Sequence, residues 1–327
     1  MTEESAFESL RPLMFSIAYR MLGRVSEAED IVQEAFLRYH RAVASGSFGR
    51  PGQSGPDSPK AYLSAVTTRL CIDHSRSAQA RREAYVGEWL PEPLLAGAGG
   101  IGLLGDPAEL AEQADSLSMA FLLLLERLSP VERAVFLLHD VFGYGYDETA
   151  RIVHKSEDNC RQLARRARQH VAEHRPRYEP SRDKRDELAG KFLAAVGDGD
   201  MDGLVSMLAA DAAVYGDSAG QRPSWPHPIT GREHVGRLLA ALGRQARWAG
   251  AVLRPAEVNG QPGLKYLAAD GTLICVMALE IADGQVHAVR SVISRDKLRH
   301  LGPLTDLEEL ISQRRTGPAG PGDRPAP

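Results

Sequence analysis

From Phe7 to about Val86, apolar residues return every three or four positions, the period of helices that pack by one face. Leu13, Ile17, Ala18, Met21 and Leu22 mark a first helix, stopped by Gly23. Ser26 followed by Glu29 spells a capping box for a second helix, whose inward face is Ile31, Val32, Ala35, Phe36 and Tyr39. Opposite that face, Asp30, Gln33, Glu34, Leu37 and Arg41 line up as a second stripe, which fits either a solvated face or a docking surface. A polar loop from Ser45 to Pro59 leads to a third helix beginning at Lys60. It runs through Tyr62, Leu63, Val66, Leu70, Ile72 and Asp73 into the cations Arg76, Arg81 and Arg82. An aromatic beside several cations suits single-stranded DNA, where bases stack on rings and cations follow phosphates. It equally suits an ordinary amphipathic helix with a basic surface.

A Gly/Pro-rich interval from Gly87 to about Ala114 cannot hold a helix. Helical periodicity returns from Ser116 to His174. Ser129, Pro130 and Glu132 combine an N-cap, proline at the first helical position and glutamate at the third. Ala134, Val135, Leu137, Leu138 and Val141 form the buried face of that helix, and Gly143 and Gly145 end it. A short helix from Tyr146 to Val153 and the turn His154-Lys155-Ser156 then lead to a last helix capped by Ser156. In this helix Cys160, Leu163, Ala164, Ala167 and Val171 face inward. Asp158, Arg161, Gln162, Arg165, Arg168 and Gln169 face outward, with Arg166 on the flank. This is the pattern of a helix-turn-helix whose recognition helix carries the side chains that read guanine and adenine edges. The alternative is a helical hairpin with a solvated basic face.

Beyond Pro176 and Pro180 the pattern becomes mixed α+β. Helices are expected around Leu188–Val196, Leu204–Leu208 and Val235–Leu242. Strands are expected over 251–258, 264–268, 273–281 and 286–293, with hairpin turns at Asp270-Gly271 and Asp283-Gly284. Thr316 to Pro327 is Gly/Pro-rich and reads as disordered.

Charge sharpens this picture. The chain of 327 residues has a formal net charge of −4, but the charges are segregated. Acids crowd into Glu27–Glu34, whereas cations crowd into Arg69–Arg82 and Arg161–Arg177, so local charge decides the partners. The three cysteines, Cys71, Cys160 and Cys275, lie far apart with no CxxC or Cys/His cluster, so no metal and no disulfide is expected. No apolar run approaches the ~20 residues of a membrane helix, and the acidic N-terminus carries no secretion signal. The expectation is a cytoplasmic protein that does not engage a membrane.

In this arrangement the chain resembles the extracytoplasmic-function (ECF) sigma factors of bacteria. Ser26 to Phe36 looks like the helix that binds the polymerase clamp. Pro59–Leu63 through Arg69, Asp73 and Arg76 looks like the segment that captures the minus-ten element. Leu128–Arg133 with the helix-turn-helix looks like the domain for the minus-thirty-five element. Tyr62 stands where many members have Trp. Tyr85 to Pro93, containing Trp89-Leu90-Pro91-Glu92-Pro93, is similar to the linker signature of the subfamily with a fused SnoaL-like C-terminal domain. Asp296-Lys297-Leu298 resembles the end of that subfamily's Asn-Pro-Asp-Lys-Leu signature, although Ser294 and Arg295 replace its Asn-Pro.

The resemblance implies a multidomain fold. Two all-α sigma domains, at 1–86 and 116–176, flank a linker at 87–115. A SnoaL-like or NTF2-like α+β cone at 183–301 and a flexible tail at 302–327 follow. It implies core RNA polymerase and promoter DNA as partners. Docking on polymerase falls to Asp30, Gln33, Glu34 and Leu37. The minus-ten element falls to Tyr62, Arg69, Asp73, Arg76, Arg81 and Arg82, and the minus-thirty-five element to Ser156, Asp158, Arg161, Gln162, Arg165, Arg166 and Arg168. Trp89, Leu90 and Pro91, two of them large apolar residues in a Gly/Pro-rich stretch, are expected to dock near Asp296, Lys297 and Leu298 and let the fused domain regulate in place of a separate anti-sigma protein. Some cone proteins are isomerases that use a pocket carboxylate or His, for which Asp217, His227, Asp270 and His287 are candidates here. They form no recognisable pair, and fold alone does not give function. No catalysis and no cofactor is therefore expected, while a small ligand in the C-terminal domain stays open.

Overall fold

Gly23, at φ +69°, ends helix α1 (Glu3–Leu22) and turns the chain within two residues into α2 (Val25–Ala44). Arg24 takes the N-cap position of α2 without a side-chain cap, so Ser26 lies inside the first turn rather than forming the expected capping box with Glu29. With Val25 buried, the helix starts two residues earlier than that box would place it. A long helix α3 (Pro59–Glu83) packs across α1 and α2. After it come α4 (Met119–Glu126), α5 (Pro130–Phe136), a π-turn (Leu137–Val141), α6 (Tyr146–Val153) and α7 (Glu157–His174). The Ser129–Glu132 capping box opens α5, and His154, at φ +53°, closes α6.

Residues 3–45, 58–83, 85, 87–95, 116–174, 181–220 and 227–316 of the computed structural model are described. The chain divides into two compact units, Met1–Ala84 with Ala96–Arg175, and Tyr85–Leu95 with Pro176–Pro327. Among the described residues no helix is long and apolar enough to cross a membrane, and no group of His, Cys, Asp and Glu could hold a metal.

The second unit is a cone of helices on a curved sheet. Helices α8 (Arg182–Asp198), α9 (Met201–Met207) and α10 (Arg232–Trp248) cover strands β1 (Leu208–Asp217), β2 (Ile229–Thr230), β3 (Val252–Val258), β4 (Gln261–Leu267), β5 (Leu273–Ala282) and β6 (Gln285–Val292). The strand order is β2-β1-β6-β5-β4-β3. Strands β3 to β6 pair antiparallel, as hairpin turns require, but β1 runs parallel to β6 and the sheet is mixed. Strand β1 itself was not expected. Its Leu-Ala-Ala-Asp-Ala-Ala start favours helix, and the burial gained between β2 and β6 overrides that propensity. The turns Asn259-Gly260 and Asp283-Gly284 place both residues at positive φ, as tight hairpins require. The segment expected as a flexible tail from residue 302 carries helix α11 (Leu307–Thr316), whose Leu307 and Leu310 pack on the core, and residues 317–327 lie outside those described.

Phe192 and Val196 of α8, Leu204 of α9, and Val235 and Leu239 of α10 pack on Leu264, Tyr266, Met277, Leu279 and Val289. Helices α8 and α10 approach so closely that a Cβ on Gly243 would lie 1.8 Å from the carbonyl oxygen of Val196, whereas one on Gly197 would meet nothing within 4 Å. Gly243→Ala should therefore destabilise the chain by about 2–3 kcal/mol through overpacking. Gly197→Ala should stabilise it by about 0.5–1 kcal/mol. Urea denaturation midpoints of the two variants test this difference in sign.

Candidate nucleic-acid interface and linker site

Helix α2 buries Ala28, Ile31, Val32, Ala35 and Tyr39 and leaves Asp30, Gln33 and Leu37 exposed. Leu37, at 47 % exposure, is one of two exposed large hydrophobics among the described residues. Glu34 is half-buried and pairs with Arg38 at 2.7 Å. The stripe is therefore acidic with one apolar centre. Tyr62 of α3 packs its ring 5.9 Å from that of Tyr39, and Asp73 is exposed. The side chains of Arg76, Arg81 and Arg82 lie outside those described.

Arg69 is used in a way the sequence did not reveal. Its Nε donates to the carbonyl of Ile152 and its Nη2 to that of Arg151, both at 2.8 Å. These are last-turn carbonyls of α6, which have no partner within the helix, and a cation is favoured there. Burial lowers the Arg69 pKa. Arg133 of α5 does the reverse, donating to Met21 at the end of α1 and to Glu126 at 2.9 Å. Each helical block thus caps a helix of the other with an arginine. Ser64 and Tyr144 add a buried hydroxyl pair at 2.7 Å. Arg20, also buried, reaches Ser16 and Ser116 and lies over the Phe142 ring. Burial brings Arg133 down to about 10 and Arg20 to about 9.

In the helix-turn-helix, Cys160, Leu163, Ala164, Ala167 and Val171 are buried. Ser156 caps α7 by accepting from Asn159 at 3.2 Å. Asp158, Arg161, Gln162, Arg165, Arg166 and Arg168 are all exposed. Arg166 pairs with Glu132 at 3.3 Å and Arg168 with Asp140 at 2.6 Å.

In the second unit the Tyr85–Leu95 strap meets the end of β1, the β3–β4 turn, Lys297 and His300. Lys297, only 1 % exposed, donates to Asp217 Oδ2 and to the carbonyl of Leu90, both at 2.5 Å. The ammonium sits 4.4 Å from the Trp89 ring centroid and 4.8 Å from that of Tyr85. Asp217 also accepts from the Leu90 amide at 2.7 Å and from the Tyr85 hydroxyl at 2.5 Å. Farther along, the Leu94 amide donates to the Asn259 side chain at 3.0 Å and the Asn259 amide donates back to Leu94 at 2.8 Å. Leu95 bridges Val258, and His300 Nε2 meets the Pro93 carbonyl at 2.8 Å. Leu90, Pro91, Glu92, Pro93, Leu94 and Leu95 are all buried. Of the C-terminal triplet, Lys297 and Leu298 point inward, while Asp296 is exposed and pairs with Arg299 at 2.8 Å. Sequence reading missed Asn259, although its Asn-Gly dipeptide is a turn signal.

The catalytic candidates do not converge. Asp217 is consumed by the strap, Asp270 is exposed and bonded to Thr272, His287 faces Asp211 at 3.9 Å, and His227 is exposed. A cavity of about 350 Å³ lies between α8 and the β3–β4 hairpin, where Arg182 pairs with Glu257 at 2.6 Å and Arg185 with Gln261 at 3.0 Å.

Residues 6–81 match the family described as Sigma-70 region 2, and residues 118–171 match Sigma-70, region 4. The ECF RNA polymerase sigma factor SigJ of Mycobacterium tuberculosis (strain ATCC 25618 / H37Rv) is 35% identical over 98% of this chain and 98% of its own length. The chain belongs to the ECF RNA polymerase sigma factors. A second relative, the probable ECF RNA polymerase sigma factor SigI of the same organism, is 32% identical to this sigma factor over 90% of it and 94% of the relative. The crystal structure of SigJ covers 92% of this sigma factor and 99% of its own chain, with a TM-score of 0.69 at 32% identity. The two helical blocks are thus sigma regions two and four, followed by the α+β unit, and sigma factors are not enzymes.

Reversing the acidic stripe with Asp30→Arg and Glu34→Arg should abolish co-purification with core RNA polymerase, because both residues sit on the solvent side of α2. The far-UV circular dichroism spectrum should not change. Retained co-purification would remove the docking assignment.

Proposed function

We propose that this sigma factor docks on core RNA polymerase through Asp30, Gln33, Glu34 and Leu37. Duplex promoter DNA is read by α7, through Ser156, Asp158, Arg161, Gln162, Arg165, Arg166 and Arg168. The opened minus-ten element is held by Tyr62, Asp73, Arg76, Arg81 and Arg82 of α3, and Arg69 joins them only on leaving the Arg151 and Ile152 carbonyls that it caps. Unstacking bases costs a few kcal/mol, offset by ring and phosphate contacts. The segregated charge supports this division, with acids on α2 and cations on α3 and α7.

The fused cone modulates this activity through the strap, in place of a separate anti-sigma factor. The observation that carries the reading is the buried Lys297, which holds Asp217, the Leu90 carbonyl and the rings of Trp89 and Tyr85 at once. Helix α3 ends at Glu83 and the strap begins at Tyr85, so whatever fixes the strap restrains the chain close to the minus-ten segment. Asp296 takes no part in this grip, so regulation runs through Lys297 and Leu298. The α8–hairpin cavity shares the β3–β4 turn with Asn259, which grips Leu94, so a small ligand entering it would act on the same strap.

Trp89→Ala should change promoter output in a run-off assay by about fivefold or more, the scale of a coupling of ~1–3 kcal/mol. Truncation before Ser294 removes Lys297 and should shift output in the same direction, and the combined variant should add little. Wild-type output from both single variants would eliminate the strap as a control element.

A further inference from the structure

On α7, Arg161, Arg165 and Arg168 follow at i, i+4 and i+7 and form one outward row. They are not equivalent. Arg161 reaches Glu157 at 3.1 Å and Asp158 at 3.3 Å, and its guanidinium lies 5.2 Å from the ring centroid of Tyr146. Arg168 donates from Nε to Asp140 at 2.6 Å and from Nη2 to the Tyr146 hydroxyl at 3.2 Å. Arg165, exposed between them, has no ion pair or hydrogen bond among the described residues.

Tyr146 therefore touches both outer arginines, and it is itself held. Its ring stacks on His139 at 3.9 Å and 24°, and His139 Nδ1 meets the Tyr144 carbonyl at 2.8 Å. His139 and Asp140 both come from the π-turn, which is closed by the Phe142 amide on the Leu137 carbonyl and the Tyr144 amide on that of Leu138. Single-turn π segments recur at functional sites. Here the turn brings an imidazole and a carboxylate to the recognition helix. An arginine held in one orientation loses less freedom when it meets a phosphate, and its planar fork presents its remaining N–H groups in fixed directions.

We propose that Tyr146 is the positioning residue of the promoter-reading face. It orients Arg161 and Arg168 as phosphate contacts flanking Arg165, which with Gln162 reads base edges. This deepens the assignment of α7 as the duplex-reading helix and rests on it.

The test uses the full chain and a duplex selected by that chain from a random-sequence library, with a scrambled duplex as reference, over a series of salt concentrations. Tyr146→Phe keeps the ring and removes the hydroxyl. It should weaken binding to both duplexes about three- to tenfold, the ordering cost of one long side chain, with an unchanged salt slope because no charge is lost. Arg168→Ala should lower the magnitude of the salt slope by about one, and adding Tyr146→Phe to it should weaken binding no further. Arg165→Ala should reduce the ratio of selected to scrambled affinity about tenfold or more. Thermal unfolding should match the wild type in all three. Additive losses in the double variant, or wild-type affinity of Tyr146→Phe, would overturn the positioning role. Failure to select any duplex, or an unchanged ratio in Arg165→Ala, would instead overturn the duplex-reading assignment beneath it.

Discussion

An ammonium group that is almost wholly withdrawn from water must find an opposite charge and hydrogen-bond acceptors, or lose its proton. Lys297 satisfies that demand with Asp217, the Leu90 carbonyl and two aromatic faces. Only Asp217 belongs to the sheet; the other three partners come from a strap distant in sequence. Asp217 in turn accepts from the strap amide and from Tyr85, and its own backbone carbonyl accepts from Ile293 and Ser294. Removing the strap would take three of these four partners from Lys297 and two hydrogen bonds from Asp217. Leu90, Leu94 and Leu95, now buried, would also lose their contacts with Asp217, Asn259 and Val258. The strap is therefore part of the fold that it appears only to connect.

The helical unit solves a related problem differently. The half-buried Arg69 and the buried Arg133 each cap a helix of the other sigma region, and Thr67 and Thr68 are buried in α3 with their hydroxyls unbonded. An interface so rich in polar groups resembles the contact between separable domains more than a permanent core. A cation suited to single-stranded DNA is, in this arrangement, serving as a helix cap.

Much of this was legible in the sequence wherever local chemistry decides local structure. The Ser129–Glu132 box, the turn after Val153 and the inward seam of α7 followed from spacing and propensity alone. The proximity of Trp89 and Leu90 to Lys297 was legible for a different reason, since large apolar residues in a Gly/Pro-rich stretch need a surface to cover. What failed was set by distant partners. Strand β1 is alanine-rich and becomes a strand only because β2 and β6 flank it. The cap formed by Arg69 depends on a helix far along the chain, and no periodicity of α3 announces it. The exposure of Asp296 beside a buried Lys297 is a matter of which way a single helical turn faces.

Because the strap completes the cone, the cone is discontinuous in the gene. Its coding sequence is interrupted by the whole of sigma region four. Such a module cannot be gained by appending a domain to the end of an existing sigma factor. The Tyr85–Leu95 segment must already lie between the two DNA-binding regions, or evolve together with the domain that receives it. Transplanting the cone onto an unrelated sigma factor would therefore require two grafts in register, one at each end of region four. Loss of the cone by truncation would leave behind a strap with Trp89, Leu90, Leu94 and Leu95 newly exposed. That pairing ties the inheritance of the linker to that of the domain more tightly than either sequence suggests when taken alone.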